Sequence, residues 1–553
     1  MTNFGYRAEQ TVSSMLWAAW ADALGWISEL TTAENFRRRT QGRALTEPFA
    51  WERNIGGRSG PRVKLPAGCY SDDTQLRLAT ARAISSAGFD VEAFSRVELP
   101  VWQSYALGGG RSTKAASASM AKQTANWAAN FYSGWEKSGG NGAAMRIQPH
   151  VYASPDLQSY GHIDDVIKNS IVTHGHPNAL VGAVLHAAAL TVAMAEQRPP
   201  GPDNWNRIIE VAHESFEIFN HCAELAAYWR PRWESVTGRR FDIEWHNTVD
   251  HAKRLLYESV DAYDALHASR NDRVMAGAAY ELLVRVLSLD DARTVGNGLT
   301  TSIAAIVLAG ALPDHPAQSA QLSAARLNTD TDTIATMAAA IVGALSPAKL
   351  PSPLLDIGHI TTEARRLAAI SFGEETAAFP YPDLLKWTAP KSALDSLGVA
   401  DSKLAVSGLG WVHPFGDVYV SKLGNWQWMT TSFGPTLLLK HRVHIPDLPL
   451  GNWPVAPTVG VDVASSRGNP RTSAQSSLFE DESESEPRHL YQEEGRRLNI
   501  RLILDWLDGR GYSDKDLGYA FRRVIERGTS SQLAEFTKEV QRAIRRDAGD
   551  TKH

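Results

Sequence analysis

The sequence predicts a mainly α protein, with an all-α catalytic-sized domain, then a small β-rich or mixed segment, then a C-terminal helical module. Three observations predict this. Apolar residues recur at three- and four-residue spacing through most of the first 350 positions, the period of helices with one buried face. Alternating Val- or Ile-rich runs are rare before residue 355. After Pro351 the texture becomes short apolar runs split by Gly, Asn and Pro, the pattern of strands and tight turns. The expected organisation is an orthogonal helical domain over 1–355, an accessory segment over 356–456, a disordered acidic linker over 457–488 and a three-helix module over 489–549.

Thr11 to Leu30 reads as a helix entering a turn, with Gly25 allowing close backbone packing and two acidic residues, Asp22 and Glu29, inside an apolar stretch. A buried carboxylate needs a partner, whereas a solvated Glu29 at the helix end is the plain alternative. Trp51 to Gly68, rich in Gly, Pro and Arg, reads as a loop. Helices are expected over Gln75–Ile84 and Val91–Gln103. Between Leu107 and Thr113 lies a flexible, hydroxyl-bearing turn, whose glycine-freed amides suit phosphate. Its spacing fits neither a P-loop nor a dinucleotide fingerprint. Gly139 to Arg146 is a tight turn that presents the Asn141 amide. Thr173-His174-Gly175-His176 precedes an apolar run, Ala179 to Ala195, which contains His186 and reads as a buried helix. Further helices are expected over 205–219, 246–266, 272–287 and 292–311, and Ile334 to Leu345 follows an acidic cluster.

Strands are expected at 404–411, 417–421, 426–430 and 436–440. Lys440, His441, Arg442 and the nearby tryptophans suit either nucleic-acid contact or a compact structural appendage, and the appendage is the simpler reading. From Thr458 the chain turns Ser-, Gly- and Asn-rich, then acidic over Glu480–Glu486, which is the composition of a linker. Order returns at Tyr491–Leu507, with Leu498, Leu502 and Trp506 at helical spacing. A helix start follows at Ser513–Asp516, a stop at Gly528, and a last helix at Ser530–Arg546, with Leu533, Phe536, Val540 and Ile544 on one face. A three-helix module of this size suits binding a protein or nucleic-acid partner, or packing, better than catalysis. Its arginines (Arg522, Arg523, Arg542, Arg545, Arg546) are interspersed with acids, which makes a solvated surface the default.

Bulk properties exclude several classes. Over 553 residues the formal net charge is only -5, which argues for no polyanionic partner of the chain as a whole. Two cysteines, Cys69 and Cys222, make neither a disulfide framework nor a zinc site and fit a reducing, cytoplasmic location. The N-terminus has no signal-peptide pattern, and no run reads as a membrane span.

The chemistry concentrates in two clusters, Ser71-Asp72-Asp73-Thr74 and Asp330-Thr331-Asp332-Thr333. Each joins carboxylates to a hydroxyl at a helix start, which is also how ordinary N-caps look. Brought together, four carboxylates in one volume require cations or protons to neutralise them. Oxygen donors without a thiol suit Mg²⁺, Mn²⁺ or Ca²⁺.

With these motifs in place, the first 350 or so residues resemble the ADP-ribosylglycohydrolase family. The resemblance rests on Ala21-Asp-Ala-Leu-Gly25 with Glu29, Ser71–Thr74, Gly140–Arg146, Thr173-His174 and Asp330–Thr333, in family order. It implies an all-α fold with two Mg²⁺ or Mn²⁺ ions held by Ser71, Asp72, Asp73, Asp330, Asp332 and Thr333. It further implies ADP-ribose lined by Gly108, Gly109, Gly110, Ser112, Thr113, Gly140, Asn141, Gly142 and His174, with Glu29 or Asp73 moving the proton. The substrate it implies is an ADP-ribosylated protein, nucleic acid or small molecule, hydrolysed at the terminal ribose. Asn328-Thr329 stands where the family has Gly-Gly, and Ala21 where it has Gly. A silent ADP-ribose reader and a metal-dependent phosphohydrolase are the rival readings.

Overall fold

The computed structural model describes residues 3–57, 60–122, 125–455, 500–508, 517–518, 520–521, 524–525 and 530–550. The linker expected at 457–488 and the helix start expected at 513–516 lie outside them. The chain divides into two units, Met1–Gly460 and Val461–His553.

The first unit is built mainly of helices, several of them buried on nearly every face. α1 spans Asn3–Gly25, α2 Ala33–Thr40, α3 Asp72–Arg82, α4 Pro177–Glu196, α5 Gly298–Ala311, α6 Pro316–Ala325, α7 Thr331–Gly343 and α8 Ile357–Ser371. α1 packs along α7, α6 and α8, and α5 packs between α4 and α7. Helices apolar on every face can only be satisfied inside a large core. α4 is, among the described residues, the one helix long and apolar enough to cross a membrane, and it lies buried in that core. The segment 91–103 is helical as expected, with a π turn at Phe94–Glu98.

Gly25 shows why the small residues matter. A Cβ there would sit 2.4 Å from the Asp332 Cα, so only glycine lets α1 end against the start of α7. Thr331 Oγ1 closes the junction by donating to the Gly25 carbonyl at 2.9 Å.

Two expectations are corrected. Trp51–Gly68 is not a loop but a β-hairpin, β1 (Trp51–Asn54) against β2 (Arg62–Leu65), antiparallel. Its inward residues Trp51, Val63 and Leu65 are buried, an alternation hidden among the glycines and arginines. The helix expected from 292 begins only at Gly298, where Asn297 caps it by accepting from the Leu299 N–H at 2.9 Å.

The segment after residue 355 opens with α8, which packs on the helical body, and residues 397–441 then form a five-stranded antiparallel meander: β3 (Leu397–Ala400), β4 (Lys403–Val406), β5 (Gly410–Ser421), β6 (Gly424–Thr431) and β7 (Leu437–His441). β3 was not expected. Trp426 and Trp428 are buried against the β1–β2 hairpin, and Trp428 Nε1 donates to the Lys64 carbonyl at 3.4 Å. These tryptophans therefore pack the sheet onto the helical body.

In the second unit, α9 (Ile500–Asp508) and α10 (Ser530–Asp550) bury Ile500, Ile503, Leu507, Phe536 and Val540 in a small core. The buried face of α9 thus runs through Ile500, Ile503 and Leu507.

Three histidines in the first unit, His150, His174 and His186, are pushed down to about 3 by burial. Gln148 Nε2 donates to His186 Nε2 at 3.0 Å, which keeps the ring neutral and protonated at Nδ1. The folded state holds these rings neutral while the unfolded chain takes up protons near pH 6.5, so stability present above pH 6.5 is lost as pH falls toward 3. The loss amounts to about 1.4 kcal/mol per pH unit per group. The buried carboxylates act with the opposite sign over the same window, so the histidine share is read by difference: His186→Gln should lose less stability than the parent chain between pH 7 and pH 4 in urea denaturation, by one group's share.

Candidate active site

A cleft of about 880 Å³ opens where the end of α1 meets the starts of α3 and α7. Glu29, Asp72, Asp73, Gly109, Gly110, Ser112, Thr113, Gly140, Asn141, Gly142, His174, Asp330, Asp332 and Thr333 line it, all residues singled out from sequence. Ser71 and Gly108 do not reach the cleft. Ser71 is fully buried behind it as the cap of α3, its hydroxyl accepting from the Asp73 N–H at 3.3 Å.

The buried carboxylate of Asp22 organises the first acidic cluster. It accepts from the Ser71 N–H at 2.9 Å, from the Thr74 N–H at 2.9 Å and from the Thr74 hydroxyl at 2.6 Å. These orphan donors of the first turn of α3 are thus satisfied by a side chain from α1 rather than by a local cap. Asp72 is held from the other side, accepting from the Gly109 N–H at 2.7 Å. Gly108 makes room for that contact. Its φ is +128°, and a Cβ there would lie 2.2 Å from Asp72 Oδ1.

On the opposite wall, Asn141 Nδ2 donates to Asp330 Oδ2 at 2.9 Å and to the Thr301 hydroxyl at 3.2 Å. The Asn141 N–H donates to the Gly296 carbonyl at 2.9 Å, and Gly140 bridges to Asn297. The turn at 140–142 therefore pairs with a second Gly-Asn-Gly, 296–298. Thr294, Val295, Gly296 and Asn297 also line the cleft and were missed from sequence. The repeat of Gly-Asn-Gly before an apolar run is the sequence signal that would have found them.

Arg146 is fully buried, and among the described residues it has no carboxylate partner. It binds the Gly142 carbonyl at 2.7 Å, Asn169 at 2.7 and 2.9 Å, and the Thr173 hydroxyl at 2.8 Å, locking the glycine turn to the Thr173-His174 turn. His174 Nδ1 shares a hydrogen bond with Thr173 Oγ1 at 2.8 Å. His176 instead caps α4, accepting from the Asn178 N–H at 3.1 Å.

The acidic groups strain one another. Burial first, then the charges of Glu29 and Asp22, pushes the Asp72 carboxyl up to about 7. Burial likewise raises Asp73 and Asp332 well above the usual carboxylate range, each helped by its acidic neighbours. Glu29 is raised by burial against the opposing charge of Arg53, whose Nη1 donates to its carboxylate at 3.2 Å.

Among the described residues Asp73 Oδ2, a fully buried carboxylate oxygen, has no hydrogen-bond donor, while Oδ1 accepts from the Thr333 hydroxyl at 3.4 Å. Together with Asp72, Asp330 and Asp332 this makes an all-oxygen donor set, which fits a hard divalent cation. Among the described residues, no three His, Cys, Asp or Glu groups form a ready-made ion cage, so the fit lies in donor chemistry and in the orphaned oxygen.

Asn328 adopts φ +68°, a left-handed conformation that asparagine tolerates best after glycine. Thr329 is buried in the cleft wall, its hydroxyl donating to the Arg326 carbonyl at 2.7 Å. The backbone bend is therefore kept with side chains present.

Asp22→Ala leaves three donors without their acceptor and should cost about 3 kcal/mol or more in urea denaturation. An unchanged midpoint would mean that α3 is capped without it.

Residues 6–377 match the family model for ADP-ribosylglycohydrolase. A solved chain of an "ADP-ribosylglycohydrolase-related protein complex" aligns at 18% identity and a TM-score of 0.41, covering 66% of this chain and 99% of that one. Comparison with curated proteins returns no match. With five motifs gathered around one cleft and a family model spanning that whole helical body, the chain belongs to the ADP-ribosylglycohydrolase family, hydrolases of ADP-ribose linkages.

Proposed function

We propose that the protein is a metal-dependent hydrolase that cleaves the bond between the terminal ribose of ADP-ribose and its acceptor, reversing ADP-ribosylation. The observation that carries this reading is the orphaned Asp73 oxygen among three further acidic side chains at the floor of a polar cleft. Asp72, Asp73, Asp330, Asp332 and Thr333, backed by Ser71, would hold two Mg²⁺ or Mn²⁺ ions. Bound there, such ions orient the ribose diol and polarise a water.

The chain's own groups supply the rest. The Gly109 amide and the Asn141 side chain hold Asp72 and Asp330 in fixed orientations, so little reorganisation is needed when charge develops on the sugar. Gly110, Ser112 and Thr113 stand at the start of a helix, Arg111–Met120, where amides and hydroxyls suit a diphosphate. His174 is neutral and offers a hydrogen bond without charge. Glu29 lies at the rim, 18% exposed, with its carboxyl raised by burial, which suits it to give a proton to the departing acceptor atom.

The test is release of ADP-ribose from arginine-, serine- and DNA-linked substrates, with Mg²⁺ and with EDTA, beside Asp330→Asn and Glu29→Gln. The expected result is metal-dependent release from one linkage, abolished by Asp330→Asn and slowed about 10²-fold or more by Glu29→Gln. Unchanged turnover in Glu29→Gln would remove Glu29 from proton transfer. ADP-ribose binding with no release from any substrate would favour the reader.

A further inference from the structure

Glu29 of the acidic cleft is tied through its arginine partners to a second cavity, of about 560 Å³, walled by α2 and the β1–β2 hairpin. Its side chain lines the first, while the two arginines that hold it line the second. Arg53 binds the Glu29 carboxylate, and Arg39 Nη1 donates to the carbonyls of Ile27 at 2.8 Å and Glu29 at 3.2 Å.

The charge of this second wall is the reverse of the first. Arg38, Arg39, Arg53, Arg62 and Lys64 line it against a single carboxylate, Glu52. That carboxylate is taken by Arg62 Nε at 2.7 Å. Arg38 donates to the Asn35 side-chain oxygen, and its one ion pair among the described residues is a loose, exposed one with Glu34 at 3.8 Å. Among the described residues Lys64 has no ion-pair partner. The two inner guanidiniums are held rigidly, Arg39 over the Trp51 ring at 5.0 Å and Arg53 over Trp26 at 5.3 Å. Each of these two commits only Nη1 to the protein contacts above, leaving further N–H groups for a ligand. Burial and then the repulsion of Arg53 push Arg39 down to about 10, the strain of cations gathered without enough counter-charge.

We propose that this cavity is an anion subsite that takes a phosphate group carried on the acceptor side of the substrate. Phosphate brings up to two charges and three acceptor oxygens, which matches several converging guanidinium forks better than one carboxylate does. The placement beside Glu29 rests on the hydrolase reading, since Glu29 is there the group that faces the departing acceptor. The subsite explains why Glu29 is tethered to arginines that point away from the acidic cluster: they hold it at the junction and stay free to bind a second anion.

Two probes, inorganic pyrophosphate and a single-stranded oligodeoxynucleotide (dT)₈, are titrated calorimetrically into the full chain, with and without saturating ADP-ribose. The same titrations are made on the double variant Arg62→Glu/Lys64→Glu, whose residues lie on the exposed hairpin. The expected result is salt-sensitive binding of the oligonucleotide in the presence of ADP-ribose, weakened at least about tenfold by the charge reversal. ADP-ribose affinity should stay within about twofold. Pyrophosphate binding alone, lost in the variant, would keep the anion subsite and overturn its role for an acceptor phosphate. Binding that survives the charge reversal, or no binding of either probe, overturns the subsite altogether. Failure of ADP-ribose itself to bind would instead sink the hydrolase reading and leave the phosphate result standing.

Discussion

The site depends on one buried carboxylate that does not face the cleft. Asp22, fully enclosed at the end of α1, gathers the Ser71 N–H, the Thr74 N–H and the Thr74 hydroxyl. That clamp sets where α3 begins, and so where Asp72 and Asp73 point. Gly25, three residues on, lets α1 abut α7, which sets where Asp332 and Thr333 lie. One helix end thus positions two others, and the acidic groups meet because both helices start at the same place.

Such a meeting is electrostatically costly, and the surroundings offset it. α3 and α7 both present their N-termini to the cluster, the favourable end of the helix dipole for negative charge. Arg77, fully buried, lies near Asp22 and Asp73 while its guanidinium is held by Gln148, the Met145 carbonyl and the Thr336 hydroxyl. Holding the cation on neutral partners keeps it from collapsing onto a carboxylate, and the acids stay available to the cleft. Arg146 follows the same logic on the other wall. By contrast Arg82, farther along α3, makes an ordinary buried fork with Glu98 at 2.8 Å on both arms.

The acidic cleft and the basic cavity are linked through the Glu29–Arg53 pair, and the sheet beyond residue 396 bears on both by supporting the β1–β2 hairpin. Trp426 packs against Gly56 and Trp428 reaches the Lys64 backbone. Arg53, Arg62 and Lys64 are carried on that hairpin, so the meander braces the wall that holds Glu29.

Much of this was legible in the sequence because it is local. The periodicity of the apolar residues determined a mainly α body, and the acidic motifs at 71–74 and 330–333, with the glycine turns, named most of the cleft. What escaped was non-local or masked. Asp22 stood out as an acid in need of a partner, but its three donors could not be read because they lie 49 and 52 residues away. The hairpin at 51–65 hid its alternation among arginines and glycines. The loop at 294–297 joined the cleft only through its pairing with the turn at 140–142. Sequence alone determined which side chains were present and which short turns would display them. Only tertiary structure decided which of them share a volume, since burial and charge are settled by the packing of distant helices.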